Sequence, residues 1–126
     1  EASAKFPVSS EYGKRLAEAV STLHRVTGHL VGIASKGDIE RYLADATLYL
    51  EFFGIVAIAW QWLKQGTIAE ETLSHSQPTT DSDFYQAKIL TMKYFFHYEL
   101  AKILGLEKRL MESDGLTTEQ IILESL

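Results

Sequence analysis

Cysteine is absent from the 126 residues, which excludes disulfides and thiolate metal sites and fits a reducing cytosol. Glycine and proline are sparse, eight and two. No Gly-x-Gly-x-x-Gly and no other Gly-rich phosphate loop occurs, so nucleotide binding through those motifs has no support. Positive charge is in deficit. Twelve Lys and Arg against 17 Asp and Glu leave a net charge of −5, the wrong balance for displacing counterions from nucleic acid. Long apolar runs are missing as well. The longest, from Phe52 to Trp60, is closed by Glu51 and Gln61 and is about half of a membrane span. No signal peptide is expected. Carboxylate-bridged metal sites in helical bundles use Glu-x-x-His. That motif does not occur, and His24, His29, His75 and His97 are scattered. No metal site is expected.

What is present is helical periodicity. Asp38–Gly66 reads as one amphipathic rod, with Ile39, Tyr42, Leu43, Ala46, Leu50, Phe53, Ala57, Trp60 and Leu63 on a single stripe. Its second half is apolar all round, the mark of a helix buried on more than one side. Residues 1–8 have no period and read as an arm. Ser9 or Ser10 is placed to cap a first helix running to about Ser35. Its apolar face is Leu16, Val20, Leu23, Thr27, Leu30, Val31 and Ala34. Gly28 and Gly32, one turn apart, imply either a ligand close to the backbone or, preferred here, a close crossing with the next helix.

Gly37 and Asp38 punctuate the chain as a helix stop and a new cap, which favours an antiparallel hairpin. Gly66 either ends the central helix, with Thr67 and Glu70 capping a new one, or lies inside a helix continuing to about His75. The unbroken period favours continuity. Residues 76–83 form a loop, and Thr80 or Asp81 starts a third helix over 82–104 or as far as Met111. Tyr85, Ile89, Met92, Phe96 and Leu100 line one face, Phe84, Thr91, Phe95 and Tyr98 lie on another, and Gly105 is a candidate break. Thr117 and Gln120 suggest a capping box for a short terminal helix ending in IILESL. The expected fold is therefore all-α: an up-down antiparallel bundle of three long helices plus a short C-terminal helix. Residues 1–126 would form one domain, with 1–8 an arm and 113–126 a tail. Leu50, Phe53 and Phe96 should be almost fully buried.

Catalytic machinery is not evident. Ser74 and His75 are neighbours one apart, which do not face each other on a helix. Lys88, Lys93 and Lys102 interleave with aromatics, a weak hint of nucleic-acid or acyl-CoA phosphate contact. Five acids answer five bases over residues 81–112, so a solvated face is the better reading. Trp60 and Trp62 lie about 200° apart on a helix and cannot both meet one partner. With Leu50, Phe53, Ala57 and Trp60 turned inward, Phe52, Ile55 and Trp62 turn partly outward. They are the candidate interface residues, and a face of that kind should drive self-association, most simply as a two-fold dimer.

Two stretches together resemble a known family. Tyr49-Leu50, Phe53-Gly54, Val56 and Ala59-Trp60 form the first; Phe84-Tyr85, Lys88, Thr91 and Tyr94-Phe95 form the second. The pair is similar to the extra C-terminal helical domain of the longer acyl-CoA dehydrogenases, relatives of 3-methylmercaptopropionyl-CoA dehydrogenase. The similarity runs over about residues 10–105 and is strongest over 42–98. The chain departs where the family commonly has Leu-Pro, since Leu100 is followed by Ala101. The resemblance implies a C-terminal fragment of a larger cytoplasmic FAD enzyme that removes hydrogens from the α and β carbons of an acyl-CoA. Starting at Glu1 without Met implies a processed chain or, preferred here, a piece of a larger protein. Flavin and catalytic glutamate belong to the preceding domains in that family, so no catalytic, cofactor-binding or metal residue carries over to this chain. The implied partners are the remaining dehydrogenase domains or a second subunit in a homo-oligomer, with no nucleic acid and no membrane. A distant branch, the alkylation-response protein, uses a basic C-terminal domain on DNA, and the charge here argues against that use. The alternative from another class is a free-standing helical interaction module with no enzymatic role.

Overall fold

A computed structural model describes residues 2–75 and 81–118. Among them every regular element is helical, as expected. Helix α1 spans Pro7–Ser35, α2 Ile39–Ala44, α3 Ala46–His75, α4 Ser82–Tyr94 and α5 Ile103–Glu112. A π-helical turn, Phe95–Glu99, and a 3-10 turn, Leu100–Lys102, join α4 to α5, so residues 82–112 wind on without a break at Gly105. Cross-links fix the directions. Val8 bonds Glu70 and Thr27 bonds Tyr49, so α1 and α3 are antiparallel. Tyr12 meets His97, Arg25 pairs with Glu107 and His29 meets Ser113, so α1 runs parallel to the α4–α5 rod. The result is an up-down-up bundle with α3 in the middle.

The expected arm is partly ordered. Ala2–Lys5 makes a 3-10 turn and α1 starts at Pro7, where proline's fixed φ and missing N–H suit the first helical position. No serine caps this helix. Glu70 does so from α3, its two carboxylate oxygens accepting from the amides of Val8 and Ser9 at 3.0 and 2.8 Å and from the Ser9 hydroxyl. A carboxylate is well placed there because the free N–H groups and the positive end of the helix dipole both point at it.

The hairpin signals at Gly37 and Asp38 hold. Gly37 adopts φ +86°, and the Asp38 carboxylate accepts from the Arg41 amide at 3.1 Å. The single rod from Asp38 does not. Asp45, at φ −106° and ψ 15°, ends α2 before α3 begins. Its carboxylate is buried, with Oδ1 3.2 Å from Arg109 Nη2 of α5. Drawing that acid to Arg109 sets the joint, and the phase of the apolar stripe restarts after it.

That restart reverses the expected faces of the central helix. Phe52, Val56, Ala59 and Leu63 are buried, while Leu50 and Phe53 are 69% and 51% exposed. Phe96 is buried as expected. A helix apolar all round gives no contrast from which to read its inner face, and carrying the phase of α2 across Asp45 selects the wrong one. Beyond Gly66 the helix continues to His75, as the unbroken period implied. The close crossing falls at that glycine and not at Gly28 or Gly32. A Cβ on Gly66 would collide with the Met92 thioether, whereas Gly28 and Gly32 have nothing within 4 Å. The capping box at Thr117 and Gln120 and the terminal IILESL run into residues 119–126, outside the described residues. Leu116–Thr118 is a 3-10 turn.

The π turn has a packing reason. Met92, Phe96 and Leu100 recur every four residues and all three are buried. In a regular α-helix that spacing drifts around the axis; a looser turn keeps the line facing α1 and α3. One flank of the core is edged by Tyr12, whose ring meets Phe96 edge-on at 5.2 Å.

Candidate functional site: an uncovered apolar groove

The titratable groups do not converge. His24 and His75 are exposed. His29 Nε2 lies 3.0 Å from Ser113 Oγ and His97 Nε2 lies 2.8 Å from Tyr12 Oη, at different places along the bundle. The Ser74 hydroxyl donates to the Glu71 carbonyl and not to His75. No group of three metal-ligating side chains gathers among the described residues. Arg109 bridges Asp45 and Asp114, both at 3.2 Å, which ties the α2–α3 joint to the end of α5. Lys102 donates to Glu99 at 2.7 Å, a bond that raises the lysine's pKa. Lys88 donates to Gln65 at 3.2 Å and sits over the Trp62 ring. These lysines are engaged along their own surface, in keeping with a solvated face.

What does stand out is apolar surface. Helix α3 presents a second side to solvent, where Leu50 is 69%, Phe53 51%, Trp60 52% and Ile68 60% exposed. Between this side and α1 runs an open groove of ≈ 690 Å³, floored by Leu16, Leu23, Val56 and Leu63 and walled by Phe53 and Trp60. It continues one helical turn further as a cleft of ≈ 330 Å³ against Val31, Tyr42, Leu43 and Leu50. The cause is local. Ala17 on α1 is too short to fill the space that the two aromatics hold open, and Gly13 beside it is covered only by Ser3. Lys64 lays its ammonium 5.0 Å from the Trp60 ring centroid, a cation–π contact at the rim.

Helix α3 is also the one described helix long and apolar enough, by length and composition, to cross a membrane. Its most apolar stretch has mean hydropathy 1.4, and only 22% of that stretch is buried inside the chain. Both features express the same surplus of uncovered apolar surface.

Of the candidate interface residues, Phe52 is corrected, being fully buried, while Ile55 and Trp62 are half-buried against the edge of the core. The outward apolar side consists of Leu50, Phe53, Ala57 and Trp60, the set expected inside. Beyond residue 57 side-chain size would have helped to find it: the buried line there carries Ala59, Gly66 and Ala69, where a neighbouring helix can come close, and the exposed line carries Trp60 and Ile68. Before that point size gives no signal, since Phe52 is buried and Phe53 is exposed.

A family model described as acetyl-CoA dehydrogenase C-terminal like matches residues 2–119. That is wider than the stretch over which the residues quoted above carry the resemblance. Neither the curated proteins nor the solved structures compared with the chain gives a match.

Proposed function

Because the chain belongs to the acetyl-CoA dehydrogenase C-terminal-like family, we propose that it is the accessory C-terminal helical domain of a cytoplasmic, FAD-dependent acyl-CoA dehydrogenase. The parent enzyme would take one hydrogen from each of the α and β carbons of an acyl-CoA. What carries this proposal is the family match over residues 2–119. The domain supplies no catalytic group. Its part is assembly, with the α1–α3 groove closing on the enzyme body or on a second subunit. A groove with this much exposed apolar surface is the ordinary mark of an interface.

The residues of this chain do not fit the flavin. The two clefts named above are lined mainly by aliphatic and aromatic side chains, with Ser3 and Thr27 bringing only a hydroxyl each. The N-terminus of α1, where backbone amides could hold a phosphate, is already filled by Glu70. The flavin site is assigned to the other domains of the parent.

The test is to express the parent enzyme with and without this domain, and with Trp60→Glu in place. Loss of assembly in both altered forms is the expected result. A parent whose subunit association and acyl-CoA oxidation are unchanged without the domain would remove the proposal.

A further inference from the structure

We infer that the uncovered side of α3 is closed by a second copy of this chain, the two α3 helices crossing antiparallel about a two-fold axis at Ala57. This deepens the assembly role proposed above and rests on it by naming the occupant.

The spacing of the exposed residues carries the inference. Phe53 and Trp60 are seven residues apart and straddle Ala57, which is half-buried and small. About a two-fold axis at residue 57, each position meets the one equally far on the other side in the second copy. Trp60 then comes over Gly54 of the second copy, and Phe53 comes beside Gln61. Gly54 is open ground, since a Cβ there would meet nothing within 4 Å. Leu50 meets the stem of Lys64, and Ala46 meets Ile68. Trp60 thus faces glycine and Ile68 faces alanine, while Phe53 and Leu50 face the flexible stems of Gln61 and Lys64. That is the self-complementarity a two-fold interface requires, because one patch must serve both sides.

The area is sufficient. Half of an aromatic side chain is on the order of 100 Å², and the exposed parts of Leu50 and Ile68 are of similar size. Phe53, Trp60, Leu50 and Ile68 thus offer about 400 Å², and the exposed stems of Gln61 and Lys64 on the same side bring the patch to roughly 600 Å² per copy. Two copies bury about 1,200 Å², the lower edge of specific interfaces. A small interface of this kind gives a dimer that depends on concentration.

Sedimentation of the 126-residue chain at roughly 100 μM, well above the weakest dissociation constants of specific interfaces, reads the result directly. The wild type should run as a dimer, and Ala57→Arg and Trp60→Glu as helical monomers. The chain has no cysteine of its own, so Ala57→Cys provides a second reading that does not depend on tolerating a charge. On the axis it should oxidise to a disulfide dimer far faster than Ala101→Cys, an exposed site on the α4–α5 rod. A monomeric wild type with no selective crosslink overturns the inference. So does a wild type that becomes dimeric only when residues 119–126 are removed, which would make that segment the cover. Co-flotation with phosphatidylcholine vesicles in place of dimerisation would also overturn it, making this a membrane face. A monomer that binds the separately expressed dehydrogenase body through Trp60 overturns the dimer and leaves the proposed function standing. A dimer abolished by Ala57→Arg supports the inference even if the parent assembles without the domain, which would remove the proposed function alone.

Discussion

The two flanks of α3 are equally apolar and are treated in opposite ways. Toward α4 the line is small, with Gly66 and Ala69 among its residues, and Met92 packs directly onto the Gly66 backbone. Toward α1 and solvent the line carries Phe53 and Trp60, and a groove stays open. The difference teaches that shape decides which apolar face goes inside. Small residues let a second helix approach to full packing density, where close-packed atoms add collective dispersion to the area removed from water. Bulky aromatics cover more area in principle, but only against a partner contoured to take them.

The sharpest way to break that comparison is to truncate adjacent phenylalanines. Phe52 has no exposed surface and Phe53 is half-exposed. Phe52→Ala should cost about 3–5 kcal/mol. Phe53→Ala, measured at a concentration where the chain is monomeric, should cost about 1 kcal/mol or less. Urea midpoints of the two variants decide it. Equal shifts would mean that the flanks are not distinct.

How much of the fold is legible in the sequence follows from the same physics. Element types and the antiparallel order are readable, because Gly37 and Asp38 have only one easy use. The inner faces of α1 and of the α4–α5 rod are readable in part: Leu16, Leu23, Leu30, Met92, Phe96 and Leu100 are buried, but so is Val26, outside the expected α1 face, while Val31 on that face is 53% exposed. Polar residues such as Arg25 and Lys93 mark their outer sides, so the pattern has contrast. The inner face of α3, and with it the uncovered groove, is not readable, since nine residues without a polar side chain carry no phase. The joint at Asp45 is hidden for another reason. Its cause is Arg109, distant in sequence, and no local signal announces the pair. The role of Glu70 is hidden likewise, because a capping box with Thr67 explains its position locally while its true partners are Val8 and Ser9.

A smaller effect separates two glycines inside long helices. Gly28 is exposed with open space around it, and Gly66 is pressed by Met92. Alanine at either position gains roughly 1 kcal/mol of helix propensity. At Gly28 nothing opposes that gain, so Gly28→Ala should be more stable by about that amount. At Gly66 the new methyl displaces a fully buried thioether, an overpacking cost of about 1–3 kcal/mol. Gly66→Ala should come out about 1 kcal/mol less stable. Thermal and urea midpoints moving in opposite directions are the expected outcome. A rise in both would show that Met92 yields freely and that the α3–α4 contact is looser than its geometry indicates.

The smallest effect concerns the core's edge, where α1 meets the π turn. Tyr12 is 4% exposed, and its hydroxyl lies 2.8 Å from His97 Nε2. Burial raises the phenol's pKa above its ordinary value; the Arg15 guanidinium opposes the rise and Glu11 adds to it. Folding therefore favours the neutral phenol. The stability this contributes is fully present below about pH 10, where the unfolded tyrosine titrates. It is lost as pH climbs through the raised folded value. Tyr12→Phe removes both the titration and the bond to His97. At about pH 8 the variant should be less stable by about 1 kcal/mol, the ordinary worth of one hydrogen bond. As pH rises past about 10 the wild type should lose stability faster, so the two urea midpoints converge. The remaining tyrosines are common to both chains and cancel in the difference. Midpoints that stay parallel up to strongly alkaline pH would mean that the Tyr12 hydroxyl is as well solvated in the folded chain as in the unfolded one.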